Sequence, residues 1–292
     1  SDKESDFHSK AGIIDGTPVL RGAVPVDREL KEQIQSTDLS VVIAGFKEVE
    51  DKEFIQSAYT EWGASGLAGV WAENNTRRSI YNAFRRKETF ATTGSRIKVR
   101  FFAGYDIDNA LNEEDPVAFA YSKGVTMGSD ILESDGKAPS FLVWALRDIK
   151  RAPLDRVQVI KGWTDISGRT YEKVFDVACS WGIAPDPKTN RCANNGAKVN
   201  LENCEISKNV GSNELKTIWK DPEFDPTIKA FYYVRVLENP TCRWSTWDAI
   251  KSGNKPRSDI PLTIQERAWS SPIWYVPNFR GVTAANILPD DV

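Results

Sequence analysis

The chain holds one imidazole, His8, and four cysteines, Cys179, Cys192, Cys204 and Cys242. Those two counts limit the chemistry it can carry. Serine- or cysteine-based triads need a histidine base, and any such triad here would have to use His8, whose nearest carboxylates, Glu4 and Asp6, lie on the same polar terminus. No G-x-S-x-G elbow occurs. His8 is therefore read as an ordinary position without a ligand role. No two cysteines have C-x-x-C spacing, so the close-set ligands of a structural zinc site are missing. The run containing Asp106, Asp108, Asn112, Glu113 and Asp115 is rich in oxygen ligands. It lacks the central glycine and terminal glutamate spacing of a calcium-binding EF-hand, and is read as a solvated loop.

Two disulfides account better for the cysteines, and they imply an oxidising compartment, periplasmic or secreted. Four cysteines allow three connectivities. Cys192 and Cys204 bracket a polar loop rich in Asn and Gly, which favours a local bridge between them and leaves Cys179 with Cys242. The alternative is four buried thiols in a cytosolic protein. Ten tryptophans are many for 292 residues, and most fall in the second half. Exposed rings can stack on sugars, but these lie within strand-like runs, where a large apolar ring with a tethered N–H belongs in a core.

The elements that must position these residues follow from pattern and punctuation. Asp27 to Gln35 reads as a short helix, Ser40 to Phe46 as a buried strand, and Glu48 to Glu61 as a surface helix with sparse apolar residues. Gly66 to Ala72 reads as a strand whose small residues admit a close neighbour. Asn74 or Asn75 then caps a helix over about 76–87 that ends in Arg85, Arg86 and Lys87. Phe90 to Gly94 turns the chain into a strand at Ile97 to Phe102. After Gly104 short strands recur, at Phe141–Leu146, Arg156–Trp163, Tyr171–Cys179, Glu214–Trp219 and Phe231–Leu237. Gly168 makes a hairpin turn, Ser245 caps a short helix that stops at Gly253, and Trp269 to Val276 forms a last strand.

The bulk numbers exclude several partners. The net charge of −3 arises from 38 basic and 41 acidic residues spread along the chain, which gives no long-range pull on nucleic acid or anionic lipid. No apolar run approaches the ~20 residues of a membrane helix. The chain starts at Ser1 without an initiator Met, and Met127 is its only methionine. This reads as a processed or truncated start, and so as a fragment of a larger exported protein.

Several phrases together resemble one family: Gly66-Leu-Ala-Gly-Val-Trp-Ala-Glu-Asn-Asn-Thr-Arg77, Arg86-Lys-Glu-Thr-Phe-Ala-Thr-Thr-Gly-Ser-Arg-Ile97, Leu154-Asp-Arg-Val-Gln-Val-Ile-Lys-Gly-Trp163, Phe231-Tyr-Tyr-Val-Arg-Val-Leu-Glu238, Arg243-Trp-Ser-Thr-Trp-Asp248 and Glu266-Arg-Ala-Trp-Ser-Ser-Pro-Ile-Trp-Tyr275. They look like the C-terminal half of a bacterial secreted family known only as a domain of unknown function, DUF3604, which is related to the polymerase-and-histidinol-phosphatase (PHP) metallohydrolases. The resemblance covers nearly the whole chain. It implies an α+β protein in two parts: residues 1–104 as the C-terminal part of a PHP-like α/β barrel, and residues 105–292 as an antiparallel β-sandwich with a packed tail. It also implies that most metal ligands belong to an N-terminal half outside this chain. The family's Asp-x-His metal motif is not matched at Asp2-Lys-Glu4, so no cofactor is expected within the chain, although a divalent metal is expected in the longer parent.

In that layout Glu73 stands just past the final barrel strand, where barrel active sites lie, and can orient a substrate or a metal-bound water. An acid in the first turn of a helix is also favoured without any site. Arg77, one turn on, can hold a phosphate or pair with Glu73, or it can be a surface charge of small energetic value. Two functions from different classes follow. One is a metal-dependent hydrolase of phosphate esters, with the missing N-terminal half as this chain's partner. The other is a non-catalytic secreted sandwich that binds a carbohydrate or a protein. Homo-oligomerisation is a further possible partnership; nucleic acid and a membrane span are not expected.

Overall fold

The computed structural model describes residues 18, 19, 21–36, 45–56, 66–165 and 167–277. His8 and most of the strand expected over 40–46 lie outside the described residues. Asp27 opens α1 (Arg28–Gln35), where its carboxylate accepts a hydrogen bond from the Leu30 amide at 2.8 Å. The surface helix expected over 48–61 does not form at its start. Instead β1 (Gly45–Val49) and β2 (Lys52–Gln56) make an antiparallel hairpin. The reason is the reversal at Glu50 and Asp51: both have positive φ, the pair of left-handed residues that matches a two-residue turn to the twist of its strands. Ile55 then packs with Val26 and Ile34 in a small satellite core.

β3 (Leu67–Val70) leads through Trp71 into α2 (Arg77–Arg85), and β4 (Thr89–Thr92) returns antiparallel beside β3. The strand–helix–strand unit read over 66–102 does not share one sheet: its second strand, β5 (Lys98–Gly104), lies in the other sheet, and β4, at residues read as a turn, takes the place beside β3. Here Lys87, at positive φ, reverses the chain directly after the helix. Phe90, read as part of a turn, is a strand residue paired with Gly69.

β5 (Lys98–Gly104) is followed by α3 (Pro116–Lys123), β6 (Val125–Thr126), β7 (Asp130–Leu132) and β8 (Ser140–Leu146). Next come the long hairpin of β9 (Leu154–Thr164) and β10 (Thr170–Cys179), and then β11 (Glu214–Lys220) and β12 (Ala230–Glu238). Gly168, at φ +81°, sits in the β9–β10 turn as expected. β13 (Thr241–Cys242), α4 (Trp244–Lys251) and β14 (Thr263–Ile264) precede β15 (Arg267–Ser270) and β16 (Ile273–Val276). The last two divide what reads in sequence as one strand, because Pro272 lies between them. Arg243, not Ser245, holds the cap position of α4, and its guanidinium donates to the Ser245 hydroxyl at 2.8 Å.

One sheet runs β10-β9-β12-β15-β4-β3, with β16 also paired to β12 and β7 parallel to β16; the other runs β11-β8-β5-β6. The two face each other across one core in a sandwich-like arrangement. Alternate residues of each strand supply that core: Val99 and Phe101 from β5, Phe141 and Val143 from β8, Val157 and Val159 from β9, Tyr232 and Val234 from β12. Each of these large side chains contributes roughly 1.5–3 kcal/mol of burial. Phe141 and Tyr232 meet across the layers at 4.5 Å between ring centroids. The outward residues Phe102 and Leu142 are covered by the α3 segment. The sheets are continuous across Gly104: β5 pairs with β6 and β8, and β4 pairs with β15 of the Trp-rich tail.

The disulfides are Cys179–Cys192 and Cys204–Cys242, which corrects the expected pairing of Cys192 with Cys204 and Cys179 with Cys242. Two local features explain the difference. The chain after β10 folds back so that the Cys192 amide donates to Asp176 of that strand at 2.7 Å, which brings Cys192 to the strand's end at Cys179. Cys204 sits in its own tight turn at positive φ, with its amide bonded to the Asn200 carbonyl, and is carried away from Cys192 towards β13.

Candidate functional site

The segment after β3 places both residues expected at a site. Thr76 caps α2, accepting from the Ser79 amide at 3.2 Å, so neither Asn74 nor Asn75 is the cap. Glu73 is largely exposed. Its ion-pair partner is Arg86, at 3.9 Å, and not Arg77, which projects from the first turn of the helix. Arg77, Arg78, Arg85 and Arg86 are all exposed and make this end of the molecule cationic.

Beside that surface lies a hydrogen-bonded cluster, centred on one buried carboxylate, that the sequence reading did not single out. Glu88 is 2% exposed. Its carboxylate accepts from the Tyr121 hydroxyl, from Thr126 Oγ1 at 3.2 Å and from Arg86 at 3.4 Å. Arg100 donates to the Tyr121 oxygen at 2.9 Å, and its guanidinium lies 3.6 Å from the centre of the Trp71 ring. Trp71 Nε1 is held by the Val99 carbonyl at 2.8 Å. Burial, and then the Glu88 carboxylate, push the Tyr121 phenol above its ordinary range. Glu88 and Arg86 lie in one motif, but Tyr121 and Thr126 come from α3 and β6, and Arg100 reaches Tyr121 from β5; only the packing of those elements brings them together. Beside Trp71 and Arg100 is a small apolar pocket of about 180 Å³ that also involves Lys98, Val117 and Trp144.

A second, larger feature is on the outer face of the long sheet. Register aligns Glu172, Gly162, Phe231 and Trp274 across four strands, β10, β9, β12 and β16. Gly162 lets the Phe231 ring lie flat on the sheet; a Cβ there would stand 2.2 Å from that ring. Phe231 is stacked against Tyr233, with planes 16° apart, and meets Trp274 at 5.0 Å. Lys229 extends over the Trp274 ring at 5.7 Å. Thr164, Thr170 and Glu172 complete an open pocket of about 570 Å³. Tryptophan content was noted in the sequence; the glycine that seats the ring was not.

At the other end of β12, Glu238 is fully buried. Burial pushes its carboxyl up to about 8. Glu266 and Asp148 add to the rise, while the Ser95 hydroxyl and Arg151 oppose it. The acidic run expected to be a solvated loop has structural duties: Asp115 caps α3, and Asp108 accepts from Ser140 and from Lys220. Among the described residues no group of three or more His, Cys, Asp or Glu is arranged to hold a metal ion. No described helix is long and apolar enough to cross a membrane.

The fold and these surfaces define a disulfide-bonded, β-rich protein of sandwich-like build, and both bridges fit an extracellular or periplasmic setting. The chain belongs to the family described as "Protein of unknown function (DUF3604)", whose model matches residues 1–277. No curated protein and no solved structure matches it.

Proposed function

We propose that this chain is the C-terminal part of an exported, PHP-like metal-dependent hydrolase of phosphate esters, and that it supplies substrate-side contacts rather than metal ligands. The observation that carries the reading is the cationic end of the molecule, where Arg86 pairs with Glu73, Arg77 is exposed on the same helix, and Arg100, Tyr121 and the buried Glu88 form a hydrogen-bonded chain. Guanidinium groups suit phosphate because their donors match its oxygens in pairs. The motif resemblance supports the PHP relation. The described residues do not fit a metal centre: all four cysteines are in disulfides, and the carboxylates near Glu73 are committed to arginine and tyrosine. Metal ligands would come from the preceding half of the parent protein.

The test compares this chain with the product of the intact gene, using p-nitrophenyl phosphate as substrate and metal analysis after dialysis. The chain alone is expected to retain no stoichiometric zinc or manganese and to leave the ester intact. The intact product is expected to bind metal and hydrolyse it, with Arg77→Ala or Arg86→Ala lowering kcat/KM by about tenfold, the loss of one charge-assisted contact. Metal-dependent hydrolysis by the chain alone would refute the reading. A second reading, a non-catalytic exported module that binds a carbohydrate or a protein partner, is favoured by the aromatic pocket on the long sheet.

A further inference from the structure

We infer that the pocket formed by Gly162, Phe231, Trp274, Lys229, Glu172 and Thr170 is a binding subsite for a neutral oligosaccharide, an inference that rests on the second, binding-module reading. Sugars present an apolar ring face bordered by hydroxyls, so their sites combine an exposed aromatic plane with nearby donors and acceptors. The pocket has both. Phe231 is fixed parallel to the sheet by the missing side chain at Gly162 and by its stack on Tyr233. Trp274, on the next strand, is 37% exposed and stands beside Phe231 at an angle of 49°. The Glu172 carboxylate, the Thr164 and Thr170 hydroxyls and the Lys229 ammonium surround these rings, and all four residues are exposed.

Register gives the site length. The row from Glu172 to Trp274 crosses three inter-strand gaps, about 14 Å in all. That is room for a chain of linked sugar rings rather than a single one. One acid and one base sit at opposite ends of the row, so the pocket offers no net charge to an anionic ligand and favours a neutral one. A protein partner would need a contiguous apolar face of about 800 Å², whereas here the rings are interrupted by charged and hydroxyl groups. The residues after Pro277 follow β16 directly and are the competing occupant from within the chain.

The experiment titrates the full chain with cellohexaose, xylohexaose, laminarihexaose and chitohexaose, read by tryptophan fluorescence and by amide chemical shifts. At least one is expected to bind saturably and to shift the amides of Gly162, Glu172 and Phe231. Trp274→Ala and Gly162→Ala should each weaken that binding by tenfold or more. Trp144→Ala, which alters the other aromatic pocket, should leave it unchanged and thereby controls for folding. Saturable binding that survives both Trp274→Ala and Gly162→Ala would overturn this site while leaving the binding-module reading intact. Absence of binding to all four sugars would overturn the site. If the Trp274→Ala chain then also lost an interaction with a second copy of itself in sedimentation, the module reading would survive as protein binding; if nothing were lost, both would fall. Binding that appears only after residues 278–292 are removed would assign the pocket to the tail and also overturn the proposal.

Discussion

Single residues carry the sharpest consequences, and Glu238 is the clearest. Its carboxyl titrates at about 8 in the fold, against 4.5 ordinarily, because burial disfavours the charged form. Below pH 4.5 both folded and unfolded chains hold the proton. Between 4.5 and 8 the unfolded chain releases it while the folded chain keeps it, so stability falls as pH rises through that window and levels off above it. Glu238→Gln is expected to remove this decline and to raise stability at pH 9 by up to about 5 kcal/mol, which urea unfolding at pH 4, 7 and 9 can check. An unchanged slope in the variant would show that another group is responsible. Gly162 gives an opposite case. An alanine at an ordinary strand glycine gains roughly 0.5–1 kcal/mol in entropy. Here the new methyl would meet the Phe231 ring, which is held by Tyr233 and Trp274. Overpacking of about 1–3 kcal/mol should win, so the variant should melt below the parent in calorimetry.

At the scale of elements, the disulfides tie irregular segments to strands. Cys179–Cys192 closes 13 residues onto the end of β10, and Cys204–Cys242 spans 38 residues and fastens a loop to β13. Loop-closure entropy assigns about 3 kcal/mol to the first and about 4 kcal/mol to the second. Replacing each pair with serines should therefore cost more for Cys204 and Cys242, by about 1 kcal/mol in denaturant unfolding. The reverse order would mean that the loop before Cys192 is also held by its contacts with Asp176. Most of the strands after Gly104 were legible because alternating apolar and polar residues mark a strand with one face in a core. The β1–β2 hairpin was not. Lys47 to Gln56 holds few apolar residues, so neither a period of 2 nor one of 3.6 dominates, and the turn at Glu50-Asp51 lacks the glycine that usually marks such a reversal.

For the whole molecule, the change of pattern near Gly104 is not a seam in the sheets. β5 is an inner strand of the four-stranded sheet, and β4 pairs with β15 at residues 176 to 180 positions away. A chain that begins at residue 105 would lose β5 from between β6 and β8, and with it Val99 and Phe101 from the core. It is expected to lose cooperative unfolding and near-ultraviolet circular dichroism while keeping strand signal in the far ultraviolet. A sharp, two-state transition in that shortened chain would show that the sandwich stands without the preceding segment.

The sequence by itself determined part of the class of this protein: recurring antiparallel strands after Gly104, a nearly neutral charge, and cysteines that pair. These are properties of composition and of short-range alternation, and no contact is needed to read them. Only the tertiary structure decided which cysteines meet, that β3 and β4 run antiparallel, that Glu73 pairs with Arg86 and not Arg77, and that Gly162 seats Phe231 beside Trp274. Each of these depends on which strand lies beside which. Strand order is set by how the two sheets share one core over long chain separations, and local spacing carries no record of it.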